Sequence, residues 1–180
     1  MDTADSAKVE LETLIGLFFS ETSELGQFEE THAKAMPEPF RSLLAHDFHM
    51  TVTVEKFHSS PVDVRVLSSR KDERLYSRKI LLTRQSDGQV VQYGIVRLNF
   101  DVLEDQVVKE IESEAMPLGR ILINHNVMRR VKLLSLYSVQ CDQELAGSLG
   151  VSTGETVYGR TALIYLNEKP AIELLEIVSV

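Results

Sequence analysis

Residues 156–178 have the sequence TVYGRTALIYLNEKPAIELLEIV, in which two apolar, β-rich segments lie on either side of a short polar turn. The first segment runs from Thr156 to Leu166 and the second from Ala171 to Val178, with Asn167-Glu168-Lys169-Pro170 between them. Turn residues between two such segments are typical of a β-hairpin, whose strands are antiparallel. The last part of the chain therefore predicts an antiparallel sheet.

Similar patterns upstream of this hairpin predict further strands and short helices. Ser86-Asp87-Gly88 is a second hairpin signal. Strands are expected at residues 50–55, 62–67, 76–83, 90–98 and 127–139. Helices are expected at residues 39–45, 102–114 and 142–149, with a short one beginning at Pro117. Because tight turns join antiparallel neighbours, the sequence predicts an α+β fold with a single antiparallel sheet of about six strands and helices inserted between hairpins.

The beginning of the chain has a different character. Apolar residues recur at helical spacing between Ser6 and Ser20, which predicts an amphipathic helix. Residues 21–37 are polar and end near two prolines, so they are expected to form a loop or a weakly held connection. These patterns predict an N-terminal helix and connection over residues 1–36 and a compact domain over residues 37–180.

Composition limits the classes of partner. A formal charge of -8 argues against a surface that binds the phosphate backbone of nucleic acid. The single cysteine, Cys141, cannot form an intrachain disulfide, and the apolar stretch from Leu14 to Phe19 is too short to span a membrane. We therefore expect a cytoplasmic monomer or homodimer that binds a small molecule, with neither nucleic acid nor membrane as a partner.

Most signatures of cofactor chemistry are absent from the sequence, which has no Gly-rich phosphate loop, no HExxH, no GxSxG and no CxxC. His46, Asp47 and His49 are close enough in sequence to suggest metal ligands, but no clear further ligand follows them. Structural or surface roles for these histidines are favoured. The sequence thus predicts neither a cofactor nor a metal site.

Three features point to an anion site. Arg78 lies in a predicted strand whose sequence otherwise indicates a buried core strand, and a guanidinium is seldom buried without an anion partner. Gly119 opens a helix, where free backbone N–H groups favour an anion. Tyr158-Gly159-Arg160 faces Glu173 and Glu176 across the last hairpin. Any one of these features, taken alone, is more often an internal salt bridge or a packing glycine.

Taken together and in order, these features resemble the chorismate lyase family, whose relatives include the ligand-sensing domains of GntR-type bacterial regulators. The similarity begins at Leu43-Leu44-Ala45-His46-Asp47 and continues through Met50-Thr51, Arg78 with its following hairpin, and the PLGRIL stretch from Pro117. It ends with Tyr158-Gly159-Arg160 and the terminal KPAIELLEIV from Lys169. The resemblance implies an antiparallel sheet with a small buried ligand cavity closed by helical flaps.

Carried over by position, the resemblance implies that Met50, Leu118 and Gly119 line the cavity and offer backbone N–H groups. Arg78 would be the cationic catalytic residue, and a glutamate of the last strand would be the acidic one. The family's glutamate precedes an apolar pair, which indicates Glu176 as the catalytic acid and leaves Glu173 as a further substrate contact. That match requires a bulge or a shifted register between Pro170 and Glu176.

The activity implied by the resemblance is elimination of pyruvate from chorismate to leave 4-hydroxybenzoate, a reaction driven by aromatisation that uses no cofactor. Arg78 would hold a carboxylate or the ether oxygen, and the glutamate would bond the C4 hydroxyl. The alternative is a non-catalytic domain that binds a small carboxylate and passes the signal to a partner. Both interpretations predict that Arg78 is buried beside a cavity.

Overall fold

The computed structural model describes residues 11–127 and 129–180, and within these ranges the chain forms one antiparallel sheet. The seven strands of the described part are β1 (Gly26–Thr31), β2 (Val62–Asp72), β3 (Leu75–Arg84), β4 (Val90–Asn99), β5 (Arg129–Cys141), β6 (Thr156–Leu166) and β7 (Lys169–Val178). Their order across the sheet is β1-β5-β6-β7-β4-β3-β2. The α+β class and the single antiparallel sheet predicted from the sequence are confirmed.

Short helices connect the strands. They are α1 (Phe40–Leu44), α2 (Met50–His58), α3 (Asp105–Glu112), α4 (Leu118–Asn124) and α5 (Gln143–Leu149), with 3-10 turns at Thr22–Glu24, Ala33–Ala35 and Phe100–Val102. α5 begins where the Asp142 side chain accepts a hydrogen bond from the backbone N–H of Gln143, and it ends at Gly150 with φ of 73°. Asp142 and Gly150 are residue types that are common at these two cap positions.

The two faces of the sheet are both covered. Leu175 and Ile177 of β7 point to one face, where residues 11–19 and α5 pack. Leu174 and Val178 point to the opposite face, because side chains alternate along a strand. On that face Leu174 belongs to a cluster around α3 and α4, and Val178 to a cluster around α1 and α2. A small cavity, whose lining includes Met50, Leu118 and Leu174, lies between these two clusters.

The segment at residues 50–55 is a helix and not the strand that its alternation predicted. It begins α2, and its buried residues Met50, Thr51 and Val54 have helical spacing, whereas Val52 is exposed. Each β-branched residue destabilises a helix by only about 0.5 kcal/mol relative to alanine, so burial of this face outweighs local preference. The prediction was wrong because only Met50 and Val54 of the alternating apolar residues are buried, and these two are four positions apart, as on one side of a helix.

Residues 21–37 are also more ordered than the predicted loop, because they contain β1. This strand pairs with β5 from Gly26 opposite Cys141 to Thr31 opposite Leu136. β1 is an edge strand in which Gly26 alone is fully buried, so its residues lack the apolar alternation that identifies a strand in sequence. β1 raises the strand number from about six to seven. Of the predicted helix at residues 6–20, residues 11–15 are helical and residues 6–10 lie outside the described part of the chain. The division at residues 36 and 37 stays a prediction.

The last hairpin forms as the sequence predicted, with an irregularity that matters for the site. Ile164 of β6 pairs with Ile172 of β7, but the next residue, Tyr165, pairs with Pro170. Ala171 is therefore the extra residue of a bulge. The bulge lies between Pro170 and Glu176, where the match to the lyase family required an extra residue to be absorbed.

Candidate functional site

A small cavity of about 50 Å³ lies between the sheet and the first turns of α2 and α4. Its polar lining comes from three cross-strand rows. Arg78 lies opposite Val96 in the first row, Glu176 opposite Gly94 in the second, and Gln92 opposite Leu82 in the third. Successive rows on β4 are two residues apart, so Arg78, Glu176 and Gln92 share one face of the sheet. The remaining lining is apolar and includes Val64, Ile80, Val96, Ile164 and Leu174.

The helical side of the cavity is formed by Met50, Thr51, Leu118 and Gly119. Met50 and Leu118 are the first residues of α2 and α4. A Cβ atom on Gly119 would stand 2.9 Å from Thr51 Oγ1, which is closer than side chains tolerate. Glycine at position 119 therefore allows the two helix starts to approach each other over the cavity. The structure thus brings together the predicted residues Met50, Arg78, Leu118, Gly119 and Glu176.

Arg78 is almost completely buried, with 1% of its surface exposed. Its Nε and Nη1 atoms have no hydrogen-bond partner among the residues that the structure describes. Burial lowers the pKa of the guanidinium, and the neighbouring Tyr76 and Glu114 act in the opposite direction. A buried guanidinium with unpaired N–H groups carries a desolvation penalty of about 3 kcal/mol or more unless an anion pairs with it.

Tyr76 and Glu114 lie on the α3 side of Arg78. The Tyr76 hydroxyl donates to Glu114 Oε1 over 2.7 Å, and burial together with this hydrogen bond raises the pKa of Tyr76 to about 12. Glu114 is outside the cavity lining. The Glu114 charge and a side-chain hydrogen bond with Tyr76 both act on Arg78, but Nε and Nη1 of the guanidinium have no hydrogen-bond partner among the described residues.

Gln92 is a second polar residue that faces the cavity without a partner. It is buried in β4, and its Oε1 atom lacks a hydrogen bond within the described ranges. The sequence reasoning did not select this residue. Gln92 could have been found in the sequence as a single amide in the otherwise apolar stretch from Val90 to Val96. A polar side chain in a buried strand needs a hydrogen-bond partner, so such a residue is a candidate for ligand binding.

Glu176 lines the same cavity, but its charge is already paired. Its Oε2 atom accepts a 2.8 Å hydrogen bond from Nε of Arg160, its cross-strand neighbour on β6. Arg160 is 0% exposed, and its remaining nitrogens donate to the backbone carbonyls of Leu44, His46 and Phe48. The sequence led us to expect Arg78 as the main cationic partner of Glu176. In the structure that partner is Arg160.

Glu173 is outside the cavity. It lies on the other face of β7 and forms an ion pair with Arg97, its cross-strand partner on β4. The alternation of β7 explains the separation, since residues 173 and 176 are an odd number of positions apart beyond the bulge. Glu176 therefore faces the cavity and Glu173 does not, so the structure gives no support to Glu173 as a substrate contact.

His49 is a neutral residue of the cavity wall, and His46 lies nearby in an outer groove. Burial, with Arg129 and Arg160 nearby, lowers the pKa of His49 to about 4, and its Nε2 atom accepts a hydrogen bond from Arg129 Nε over 2.6 Å. Burial and Arg160 also lower the pKa of His46. In the described residues no group of three or more His, Cys, Asp or Glu side chains is arranged to hold a metal ion. His49 also lines an outer, largely apolar groove of about 720 Å³.

No family model matches the chain, and no curated protein matches it significantly. Solved structures do match it. The effector domain of PhnF from Mycobacterium smegmatis has a TM-score of 0.53 at 14% identity, with 72% of this chain and 86% of that domain covered. A chain from Bordetella bronchiseptica, assigned as the ligand-binding domain of a GntR-family transcriptional regulator, has a TM-score of 0.50 at 14% identity and covers 66% of this chain and 86% of its own.

The fold is that of GntR-type ligand-binding domains. The whole PhnF protein has a TM-score of 0.57 at 12% identity, with 73% of this chain and 63% of PhnF covered. The chain likewise spans 58% of YydK from Bacillus subtilis. Similarity at these identities shows the fold and leaves the ligand to be argued from the site. The chorismate lyase-like fold expected from the sequence is compatible with these neighbours. No helix in the described part of the chain is long and apolar enough to cross a membrane.

Proposed function

We propose that this domain is a non-catalytic sensor that binds a small organic carboxylate in the cavity between Arg78 and the start of α2. One observation carries the proposal: Arg78 is buried in the cavity wall with two nitrogen atoms that no described residue pairs. A carboxylate is the usual partner of a buried guanidinium, and hydrogen bonds between the two ions are about twice as strong as neutral ones. Binding would remove the desolvation penalty of Arg78.

The start of α2 supports the same ligand chemistry. α2 has nine residues, and its N-cap residue, His49, makes no capping hydrogen bond with its side chain in the described structure. The first backbone N–H groups of a helix lack partners within the helix, and together with the helix dipole they favour a negative charge. Met50 and Thr51, which carry two of these groups, line the cavity opposite the sheet.

The neighbouring structures agree with a binding role. PhnF contains a part named as its effector domain, and the Bordetella chain is named as a ligand-binding domain. Neither name describes an enzyme. The proposed sensing role rests on the buried site of this chain, and the names of these two neighbours support it.

Titration calorimetry of the purified protein with a panel of small carboxylates tests the proposal. We expect saturable binding of at least one of them, and a loss of affinity of about thirtyfold or more in Arg78→Gln, because truncating a buried ionic contact costs at least ~2 kcal/mol. Arg65→Gln is the matched control, since Arg65 is an exposed arginine on the neighbouring strand β2. A folded Arg78→Gln protein that binds as tightly as the wild type would contradict the proposal.

Chorismate lyase activity is the second candidate, and one observation favours it. Arg78 and Glu176, the cation and the acid that the lyase resemblance assigns to catalysis, line the same cavity. Two features weigh against it. The carboxylate of Glu176 is bonded to Arg160, and a cavity of about 50 Å³ is too small for a ligand of the size of chorismate, because pockets that enclose drug-sized ligands have roughly 300 Å³ or more.

Incubation with chorismate distinguishes the two functions. A lyase would release pyruvate and 4-hydroxybenzoate in equal amounts, and this turnover would fall in Glu176→Gln but not in Glu173→Gln. A sensor would release neither product, even at protein concentrations that saturate carboxylate binding. We expect no turnover.

A further inference from the structure

The outer groove beside α2 is a binding site separate from the cavity. Its volume is about 720 Å³, within the roughly 300–1,000 Å³ of pockets that enclose small ligands. Three of its apolar side chains, those of Phe48, Val52 and Phe57, are 70%, 43% and 45% exposed, and a contiguous exposed apolar patch marks a binding surface. We infer that this groove binds an aromatic carboxylate larger than one ring, independently of the carboxylate proposed for the cavity.

The groove follows one face of α2. His49, Val52, Thr53 and Lys56 all line it and are spaced by three or four residues, and side chains at this spacing share a helix face. Arg129 contacts His49 at the beginning of this face, and Lys56 lies about 10 Å further along the helix axis. The groove is therefore elongated, with an apolar middle and a cation toward each end of the face.

The charge of the ligand follows from the ionised side chains of the groove. Arg129 and Lys56 are cations, and no carboxylate is among the described residues that line it. Arg129 donates to His49 Nε2 over 2.6 Å and to the Val127 carbonyl over 2.9 Å, which fixes the guanidinium but leaves its charge without an anion. His49 adds no charge at pH 7, and Asp47 lies outside the groove lining. An anion therefore complements this groove, although the chain as a whole has a net charge of -8.

The aromatic body of the ligand follows from the rings that line the groove. Four of the lining side chains are aromatic, namely those of His46, Phe48, His49 and Phe57. The rings of His46 and Phe48 are already in contact, with centroids 5.5 Å apart and planes inclined by 33°. A planar ring gains edge and offset-stacked contacts with such walls in addition to its apolar burial. An aliphatic chain would gain only the burial.

A second copy of the chain is a less suitable occupant than a small anion. A two-fold interface brings the same patch of two molecules together. Lys56 and Arg129 of one copy would then face the same two cations of the other copy, and like charges across an interface are unfavourable. The charges of the groove therefore favour an anionic ligand over self-association.

A two-ring acid reports on the groove alone. Such an acid has about a dozen non-hydrogen atoms, whereas the cavity of about 50 Å³ accommodates roughly four or five atoms of the size of a water molecule. The cavity is therefore too small to bind the same compound.

Fluorescence titration of the protein with 2-naphthoate at pH 7 tests the inference, with 2-naphthamide and benzoate as the comparison ligands. We expect 2-naphthoate to bind saturably and about tenfold more tightly than the uncharged amide, because hydrogen bonds to a charged group contribute about that factor. Benzoate lacks the second ring and should bind at least about tenfold more weakly, because less apolar surface is buried. Absent binding of 2-naphthoate, or affinity equal to that of the amide, would overturn the inference.

Variants on the exposed face of α2 locate the binding. Val52→Asp places a carboxylate in the groove and should weaken 2-naphthoate binding at least about tenfold, whereas Val52→Thr should stay within about threefold of the wild type. Lys56→Gln should weaken binding about two- to fivefold, as expected for an exposed charge. Lys109→Gln is its matched control, because Lys109 is an exposed lysine in the last turn of α3 and should not affect binding.

Three outcomes would overturn the site in the groove. If Val52→Asp does not fold, equal affinities of Lys56→Gln and Lys109→Gln would do so. Loss of 2-naphthoate binding in Arg78→Gln but not in Val52→Asp would place the acid in the cavity. A wild-type dimer that Val52→Asp converts to a monomer in sedimentation velocity would identify the groove as an interface between copies. The proposed sensor is tested separately, because its small carboxylates should lose affinity in Arg78→Gln and not in Val52→Asp.

Discussion

Two arginines are buried on the same face of the sheet, and their surroundings differ. Arg160 donates to the carboxylate of Glu176 and to three backbone carbonyls of residues 44–48, from the last residue of α1 to the segment before α2. Arg78 is buried to the same degree, but two of its nitrogens face the cavity without a partner among the described residues. Identical side chains therefore have opposite roles in the energetics of the fold.

The contrast separates a structural cation from one that is available to a ligand. Arg160 is satisfied internally, so it fixes the segment at residues 44–48, which leads into α2, to the sheet beside the cavity. Two nitrogens of Arg78, Nε and Nη1, have no hydrogen-bond partner in the described part of the chain, and the proposed anion would pair with them. Burial alone does not identify a binding residue in this fold, because both arginines are buried. The difference is the number of internal hydrogen bonds that each guanidinium makes.

The largest effect on stability is expected from Arg160→Met. Removing this guanidinium leaves Glu176 as a buried charge without its partner, and breaking a buried pair from one side costs about 3–5 kcal/mol. Chemical denaturation followed by circular dichroism measures the loss. The double variant Arg160→Met, Glu176→Leu should recover part of it, because both charges are then removed. A loss below about 1 kcal/mol would contradict the structural role of Arg160.

A smaller loss, of about 1–3 kcal/mol, is expected from Glu176→Gln. The amide keeps the shape of the side chain and an oxygen for Arg160, but it removes the negative charge that compensates the buried guanidinium. Glu173→Gln is the matched control, because its ion pair with Arg97 is partly exposed and such pairs contribute about 0–1 kcal/mol. Equal unfolding free energies for the two variants would show that the two glutamates do not differ in burial as described.

Much of this comparison was accessible from the sequence. Arg78 stood out as a cation in an apolar strand, and Glu176 was selected over Glu173 by its position before an apolar pair. The bulge at Ala171 that brings Glu176 to the cavity side was inferred only as a requirement. The face of the sheet on which a side chain lies can be predicted in this way, because side chains alternate along a strand and the register fixes the alternation.

The hydrogen bonds of Arg160 to the backbone were not predicted, for a physical reason. Three of its acceptors are backbone carbonyls more than a hundred residues earlier in the chain, and carbonyls have no signature in a sequence. The helix at Met50–His58 was missed because tertiary burial outweighed the local period-two pattern. β1 was missed because an exposed edge strand needs little apolar alternation.

The pH dependence of the free energy of unfolding tests the buried state of His49, a residue of the cavity lining. The pKa of His49 is about 4 in the folded protein, below the ordinary value of 6.5, so the unfolded chain binds more protons between these values. Stability contributed by neutral His49 is therefore complete above about pH 6.5 and is lost as the pH falls toward 4. The expected loss is on the order of 1 kcal/mol, because the partial exposure of the ring reduces the full effect.

Comparing His49→Gln with the wild type at pH 7 and pH 4.5 isolates this contribution. The pKa values of His46 and His58 are also lowered, but those two residues titrate in both proteins. The variant should lose less unfolding free energy between the two pH values than the wild type. An identical loss in both proteins would mean that His49 is not buried neutral beside Arg129.

The smallest effect on stability, and the one that tests the comparison most directly, is expected from Arg78→Met. Methionine retains much of the length of the arginine side chain and removes a buried charge that has two unpaired nitrogens. Replacing such a charge by an apolar side chain is often neutral or stabilising, so the unfolding free energy should change by less than about 0.5 kcal/mol or increase. Arg65→Met, at an exposed position of β2, provides the reference for an arginine without a buried role. The same Arg78→Met protein should lose the stabilisation that a bound carboxylate gives the wild type, because that stabilisation depends on affinity for the folded state. A loss of about 3 kcal/mol or more, equal to that of Arg160→Met, would show instead that Arg78 is a structural cation like Arg160 and that the cavity has no free charge to offer a ligand.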